Sequence, residues 1–222
     1  MTIEPTPTTS PIEVSSVLDL LLEGGPVMIP IALSSVIAAT YFVERWFGMR
    51  SSNLGTARDG ERLLATWRER GSDALSSEAK GERTALSRIL DAALGRVRGT
   101  EQVESAYEDA GRRELRRLNA KLRPLVVVAL IAPLLGLLGT VWGMIQSFAD
   151  IALKDGLGDP KILASGISQA LVTTAAGLAI AIPAQAAVHW FRSRIDKFQR
   201  RLEDLWLSID RDMTQSVEGE AA

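Results

Sequence analysis

The sequence predicts an all-α integral membrane protein, with three transmembrane helices and long cytoplasmic helical extensions. Three observations carry that prediction. Pro124–Ala149 and Ile162–Phe191 contain no charged side chain, counting His189 as neutral, and each exceeds the ~20 apolar residues that cross a hydrocarbon core of about 30 Å. A third charge-free run, Pro26–Val43, is 18 residues long and is followed by Glu44-Arg45 and then by Trp46 and Phe47, side chains suited to an interface. The polar segment 48–123 shows helical spacing and no strand alternation or hairpin dipeptide.

Taken in order, residues 1–11 are rich in proline and threonine and are expected to be a disordered periplasmic tail. Residues 12–25 follow as a short amphipathic helix on the outer membrane surface, with Val14, Val17, Leu18, Leu21 and Leu22 at helical spacing. Gly24-Gly25-Pro26 breaks the chain and starts the first span, 26–47, with proline in a tolerated first-turn position. No basic segment precedes this run, so a cleaved signal sequence is not expected.

The cytoplasmic domain, 48–123, is read as several helices. Leu63, Leu64 and Trp67 repeat at helix spacing, as do Leu86, Ile89, Leu90, Ala93, Leu94 and Val97. Gly71-Ser72 and Gly99-Thr100 punctuate them, and Thr100 can cap a helix running on toward the second span, 124–149. Pro124 is expected to bend that helix near the inner surface. A link, 150–161, then leads to the third span, 162–191. The tail, 192–222, extends that span and carries Ile195, Phe198, Leu202, Leu205, Trp206 and Ile209 on one stripe, which calls for a partner helix.

Orientation follows from the cations. Residues 1–26 contain no lysine or arginine, 48–123 contain 16 and 192–222 contain six. Basic segments flanking membrane helices stay cytoplasmic, so the N-terminus and the 150–161 link are expected outside and the rest inside. The net charge of −2 carries no message, because the charges are segregated. Cysteine is absent, which removes disulfides and thiolate metal sites.

The spans are not built as plain anchors. Gly136, Gly139 with Thr140, Gly143 and Ser147 recur every three or four residues in the second span, and so do Gly166, Ala170, Thr173 with Thr174, Gly177 and Ala181 in the third. Such spacing puts small residues on one face, where two membrane helices approach closely. Gly136, Gly139, Gly143, Gly166 and Gly177 are therefore the expected packing positions. Pro133 and Pro183 leave the Ala129 and Ala179 carbonyls without helix bonds and are expected to kink their helices. Thr140 and Thr174 can each satisfy their hydroxyl on the carbonyl four residues back, Gly136 and Ala170. The Gln169 amide has several hydrogen-bonding sites to fill and needs a partner or a wet cavity. Glu44 and Arg45 read as an interfacial charge pair whose arginine snorkels toward water.

Enzyme chemistry finds no support. One histidine and no cysteine leave no nucleophile–base constellation and no metal-ligand spacing. The Gly136–Thr140 segment lacks the lysine of a phosphate-binding loop. The arginines of 48–123 are interleaved with acids, which argues against a nucleic-acid surface, so the lipid bilayer is the expected charged partner. No cofactor is expected.

Ala132–Phe148, APLLGLLGTVWGMIQSF, and Ala170–Ala184, ALVTTAAGLAIAIPA, resemble the two diagnostic segments of the ExbB/TolQ/MotA ion-channel family. Gly24–Pro30 and Val43–Trp46 resemble the start and end of that family's first span. Three spans, with the large loop between the first two, are similar to ExbB or TolQ; MotA-type stators have four. The resemblance implies a ring-forming homo-oligomer, a pentamer, around the membrane helices of a small single-span partner of ExbD or TolR type. That partner's aspartate would carry the proton, and force would pass to a TonB- or TolA-like periplasmic protein. On this resemblance Thr140 and Thr174 match the family's polar threonines, and with Gln169 and Thr173 they are the expected pore lining. Gln169 stands where relatives commonly carry glutamate, so spans two and three contain no acid of their own. A flagellar stator subunit and a non-conducting membrane scaffold are the competing readings.

Overall fold

A computed structural model describes residues 24–82, 84–95, 100–153 and 160–220. The expected tail over 1–11, the interfacial helix over 12–23 and residues 154–159 of the link lie outside the described residues. The described chain forms helices α1 (Met28–Gly48), α2 (Ser51–Leu54), α3 (Ala57–Glu82), α4 (Ala85–Leu94), α5 (Thr100–Ala120), α6 (Arg123–Leu153) and α7 (Pro160–Glu220). Among the described residues three stretches are long and apolar enough to cross a membrane: Met28–Gly48, Gln102–Ala152 and Leu163–Gln215. The third apolar run and the tail thus share one helix, and α6 and α7 continue unbroken through Pro133 and Pro183.

Two compact units divide the chain, Met1–Val36 with Leu130–Ala181 and Ile37–Ala129 with Ile182–Ala222. The first contains the start of α1 and the antiparallel pair made by α6 and the first part of α7. Its outward side chains are bare: Leu134 is 62% exposed and Leu171 63%. Surface of that kind needs lipid or another subunit, not water, as its neighbour.

The second unit has a core of its own. Leu63, Leu64 and Leu75 of α3, Leu86, Ile89, Leu90 and Leu94 of α4, and Val103 of α5 bury against one another and against the α7 stripe. Ile195, Phe198, Leu202, Leu205 and Ile209 are buried and Trp206 is partly so, which supplies the partner that the tail's periodicity demanded. Each large side chain buried this way contributes about 1.5–3 kcal/mol. Tyr107 fixes the register, its hydroxyl donating to the Leu202 carbonyl at 2.7 Å while its ring lies 5.2 Å from Trp206. Arg68 of α3 pairs with Asp212 of α7.

Local signals set the boundaries. Asp59 accepts from the Thr56 N–H (2.6 Å) and hydroxyl (2.8 Å), and the Thr56 hydroxyl accepts from the Asp59 N–H, a capping box that starts α3. The backbone bond from Thr56 holds the Asp59 carboxyl below its ordinary range. Thr84 caps α4 by accepting from the Ser87 N–H. Gly71 interrupts α3 with φ 81° and ψ −175°, a region open essentially to glycine alone.

The helix expected to run into the second span is broken only at Lys121-Leu122. Pro124 has no N–H to return to Ala120, and its ring excludes the helical position of that carbonyl. Leu122 instead donates to Asn119 (3.0 Å) and Val126 to Leu122 (3.1 Å), so the backbone resumes at once.

Candidate functional site: the glycine seam and its hydroxyls

Within the first unit, α6 and α7 meet along a seam where lower numbers on one helix face higher numbers on the other. A Cβ built on Gly177 would lie 2.6 Å from the Ala132 carbonyl oxygen and 3.1 Å from the Gly136 Cα. One on Gly136 would lie 3.0 Å from both the Thr173 carbonyl oxygen and the Thr174 Cα, and one on Gly143 3.2 Å from the Gly166 carbonyl oxygen. Gly139 faces the Thr173 side chain and Gly166 faces that of Ser147, each too closely for any added atom. All five glycines therefore sit where backbone meets side chain or backbone of the opposite helix. Dispersion between closely apposed surfaces drives such pairing in lipid, where burial away from water contributes nothing.

The hydroxyls divide into two kinds. Ser147 and Thr173 are buried, 3% and 0% exposed. Ser147 donates to the Gly143 carbonyl at 2.9 Å and Thr173 to that of Ala170 at 2.7 Å, with the Gly136 carbonyl 3.4 Å away. Thr173 thus presents no surface to a lumen within one chain and acts as packing. Thr140 and Thr174 are only partly buried. Thr140 donates to Leu137, three residues back, at 2.6 Å, not to Gly136. Thr174 reaches across the seam to the Gly136 carbonyl at 3.1 Å, not back to Ala170. A second helix in contact offers a carbonyl that no single-helix argument includes.

Gln169 packs one turn away, against the turn that precedes α1. Gly25 has φ +68°, and a Cβ there would run into the Gln169 amide nitrogen; one on Gly24 would lie 3.4 Å from the Thr173 methyl. The Gly24-Gly25 pair, read from sequence only as a chain break, also lets that turn lie against α7. Two adjacent glycines before a span were the available signal.

In the second unit, Glu44 and Arg45 pair, but not as a snorkelling exposed bridge. Arg45 is 3% exposed and its Nε finds no hydrogen-bond partner among the described residues, whereas the Glu44 side chain is 53% exposed. Gly48, one turn on, lies beside Arg45: a Cβ there would stand 3.4 Å from Arg45 Nη2, an ordinary contact. Nearby, Trp46 stacks on Trp190 at 5.1 Å and Arg194 sits 5.0 Å over the Trp190 ring, an aromatic cluster of the kind found at membrane interfaces.

A family profile described as the MotA/TolQ/ExbB proton channel family matches residues 80–204, a stretch that includes the whole seam. The chain belongs to the MotA/TolQ/ExbB proton channel family. It is 40% identical over 114 residues to the biopolymer transport protein exbB1 of Vibrio cholerae, covering 47% of this chain and 50% of that one. To ExbB of Salmonella typhimurium it is 31% identical over 188 residues, 81% of this chain and 77% of the relative. To the Tol-Pal system protein TolQ of Pseudomonas aeruginosa it is 40% identical over 94 residues, 42% and 40% of the two chains. The chain spans about half to two thirds of the length of several relatives that it matches. The three apolar helices and the family together make this MotA/TolQ/ExbB member a membrane protein.

Proposed function

We propose that this chain is the channel subunit of an ExbB/TolQ-type motor in the bacterial inner membrane. Five copies form a ring around the membrane helices of an ExbD/TolR-like partner, and ion flow drives a TonB- or TolA-like protein. The N-terminus lies in the periplasm; residues 48–123 and the tail lie in the cytoplasm. One observation carries the reading: spans two and three hold no charged group, and the hydroxyls partly open on them, Thr140 and Thr174, have already spent their protons on backbone carbonyls.

A hydroxyl whose proton is committed keeps its lone pairs. Toward a lumen, Thr140 and Thr174 therefore accept. They suit a protonated carboxyl, a water or a hydrated cation, and not a bare carboxylate. Gln169 supplies the complementary N–H donors for the ionised state. None of the three can store charge, so the carrier is the partner's carboxylate. An ionised side chain at the bilayer centre costs roughly 2.5 kcal/mol or far more, while one charge crossing 100 mV yields only about 2.3 kcal/mol. The wall dipoles are needed to bring the first figure below the second.

Affinity purification of the chain from its own membranes, followed by mass measurement of the intact complex, tests the assembly. The expected mass includes a single-span protein with a carboxylate in its span; a mass made only of multiples of this chain contradicts it. Gln169→Glu places a second titrating group beside the carrier. Coupled carboxyls titrate as a pair, so the pH profile of translocation by the complex should move by about one unit or more, or its ion preference should change. Identical profiles for both proteins would take Gln169 out of the path.

A further inference from the structure

We propose that a groove along α5 and the first residue of α6 holds the phosphodiester headgroup of an anionic phospholipid. The groove is open to the surface, has a volume of about 470 Å³ and is lined by Arg112, Leu115, Arg116, Asn119, Ala120 and Arg123. That volume falls within the range of small-molecule sites, roughly 300–1,000 Å³. Three of the six lining residues are arginines and none is acidic, although α5 as a whole is rich in acids.

The charge bookkeeping singles out two of them. Arg112 pairs with Glu108 at 2.7 Å, Arg113 with Asp109 at 3.6 Å and Arg117 with Glu114 at 3.7 Å. Among the described residues no acidic partner stands against Arg116 or Arg123, both exposed. A guanidinium presents a planar fork that binds two phosphate oxygens at once, so two unmatched forks flanking one groove define an anion site of phosphate geometry. Asn119 already donates to the Leu115 carbonyl at 3.0 Å and keeps a second amide N–H for a ligand oxygen. Leu115 and Ala120 give the groove an apolar wall suited to a glycerol backbone.

Position selects a lipid over a soluble anion. Arg123 directly precedes the charge-free run Pro124–Ala149 and so stands at its edge. At ~1.5 Å per helical residue, Asn119 is about 6 Å and Arg116 about 10 Å further out. The headgroup layer on one side of a bilayer is about 5–8 Å thick. The two free arginines bracket that layer, where lipid phosphates lie.

The test uses the full chain in its purified complex in neutral detergent, titrated with dioctanoyl phosphatidylglycerol, dioctanoyl phosphatidylcholine or inorganic phosphate. Bound lipids are counted by native mass spectrometry. Phosphatidylglycerol should bind about tenfold or more tightly than phosphatidylcholine, and inorganic phosphate should not displace it at equal concentration. Combining Arg116→Gln with Arg123→Gln should erase the preference, while Arg113→Gln, on the same helix but outside the groove, should retain it. Should the double glutamine variant fail to assemble, Arg116→Lys with Arg123→Lys decides: charge is kept but the fork is lost, so a several-fold weaker preference is expected. Four results would overturn the proposal: no preference in the unaltered protein, equal loss in Arg113→Gln, full affinity in the lysine pair, or displacement by inorganic phosphate. A preference unmoved by the glutamine pair overturns it too, and would be the result if a second copy of the chain covers the groove.

Discussion

Thr174→Val is expected to reduce ion translocation by the assembled complex about tenfold or more while leaving helix content and assembly in place. Valine matches threonine in shape and removes only the hydroxyl. The bond lost within the chain, from Thr174 to the Gly136 carbonyl at 3.1 Å, joins helices already held by five glycine contacts. Hydrogen bonds between membrane helices average about 0.6 kcal/mol, too little to separate them. In the pathway the loss weighs more, because a protonated carboxyl or hydrated cation that passes without its acceptor forfeits roughly 1–3 kcal/mol. Each ~1.4 kcal/mol on a barrier is a factor of ten in rate. Translocation and complex mass, measured on one preparation, separate the two effects. An unaltered rate would remove Thr174 from the path; a lost complex would make it a packing residue like Thr173.

Gly177→Leu is expected to abolish the folded, assembled chain. The added Cβ meets the Ala132 carbonyl oxygen at 2.6 Å, and that oxygen belongs to the helix backbone, so no rotamer relieves the clash. One extra methylene in a packed site costs about 1–3 kcal/mol; a leucine here must also drive α6 and α7 apart along their seam. Gly81→Ala is the control, since among the described residues nothing lies within 4 Å of a Cβ there and helix propensity favours alanine by about 1 kcal/mol. Size-exclusion profiles in detergent should show complex for Gly81→Ala and none for Gly177→Leu. Similar profiles for both would mean that the seam tolerates separation.

Much of this architecture was legible because a bilayer is a strict solvent. Only helices whose own backbone satisfies every N–H and C=O cross it singly, so charge-free runs of 26 and 30 residues leave little choice. The three- and four-residue recurrence of Gly136, Gly139 and Gly143 also puts them on one face. What periodicity could not supply was the partner. Thr173 and Thr174 are neighbours, about 100° apart around the helix, and both fall within the same small-residue stripe. One is sealed in the seam and the other is half-open, a distinction set by where Gly136 and Gly139 meet them. Likewise, no helix-local rule turns the Thr174 hydroxyl away from Ala170 or presses Gln169 onto Gly25. Each depends on a neighbour brought up by the fold.

The absence of any charge-bearing group in the second and third spans is the physical core of the proposed mechanism. The most direct measurement reconstitutes the 222-residue chain into liposomes with and without the single-span, carboxylate-bearing partner that copurifies with it, and follows the decay of an imposed pH or sodium gradient. Alone, the chain should leak no faster than protein-free vesicles, and adding the partner should collapse the gradient. Equal collapse by the chain alone would show that its uncharged wall carries the ion unaided, and the carrier supplied by a second protein would have to be abandoned.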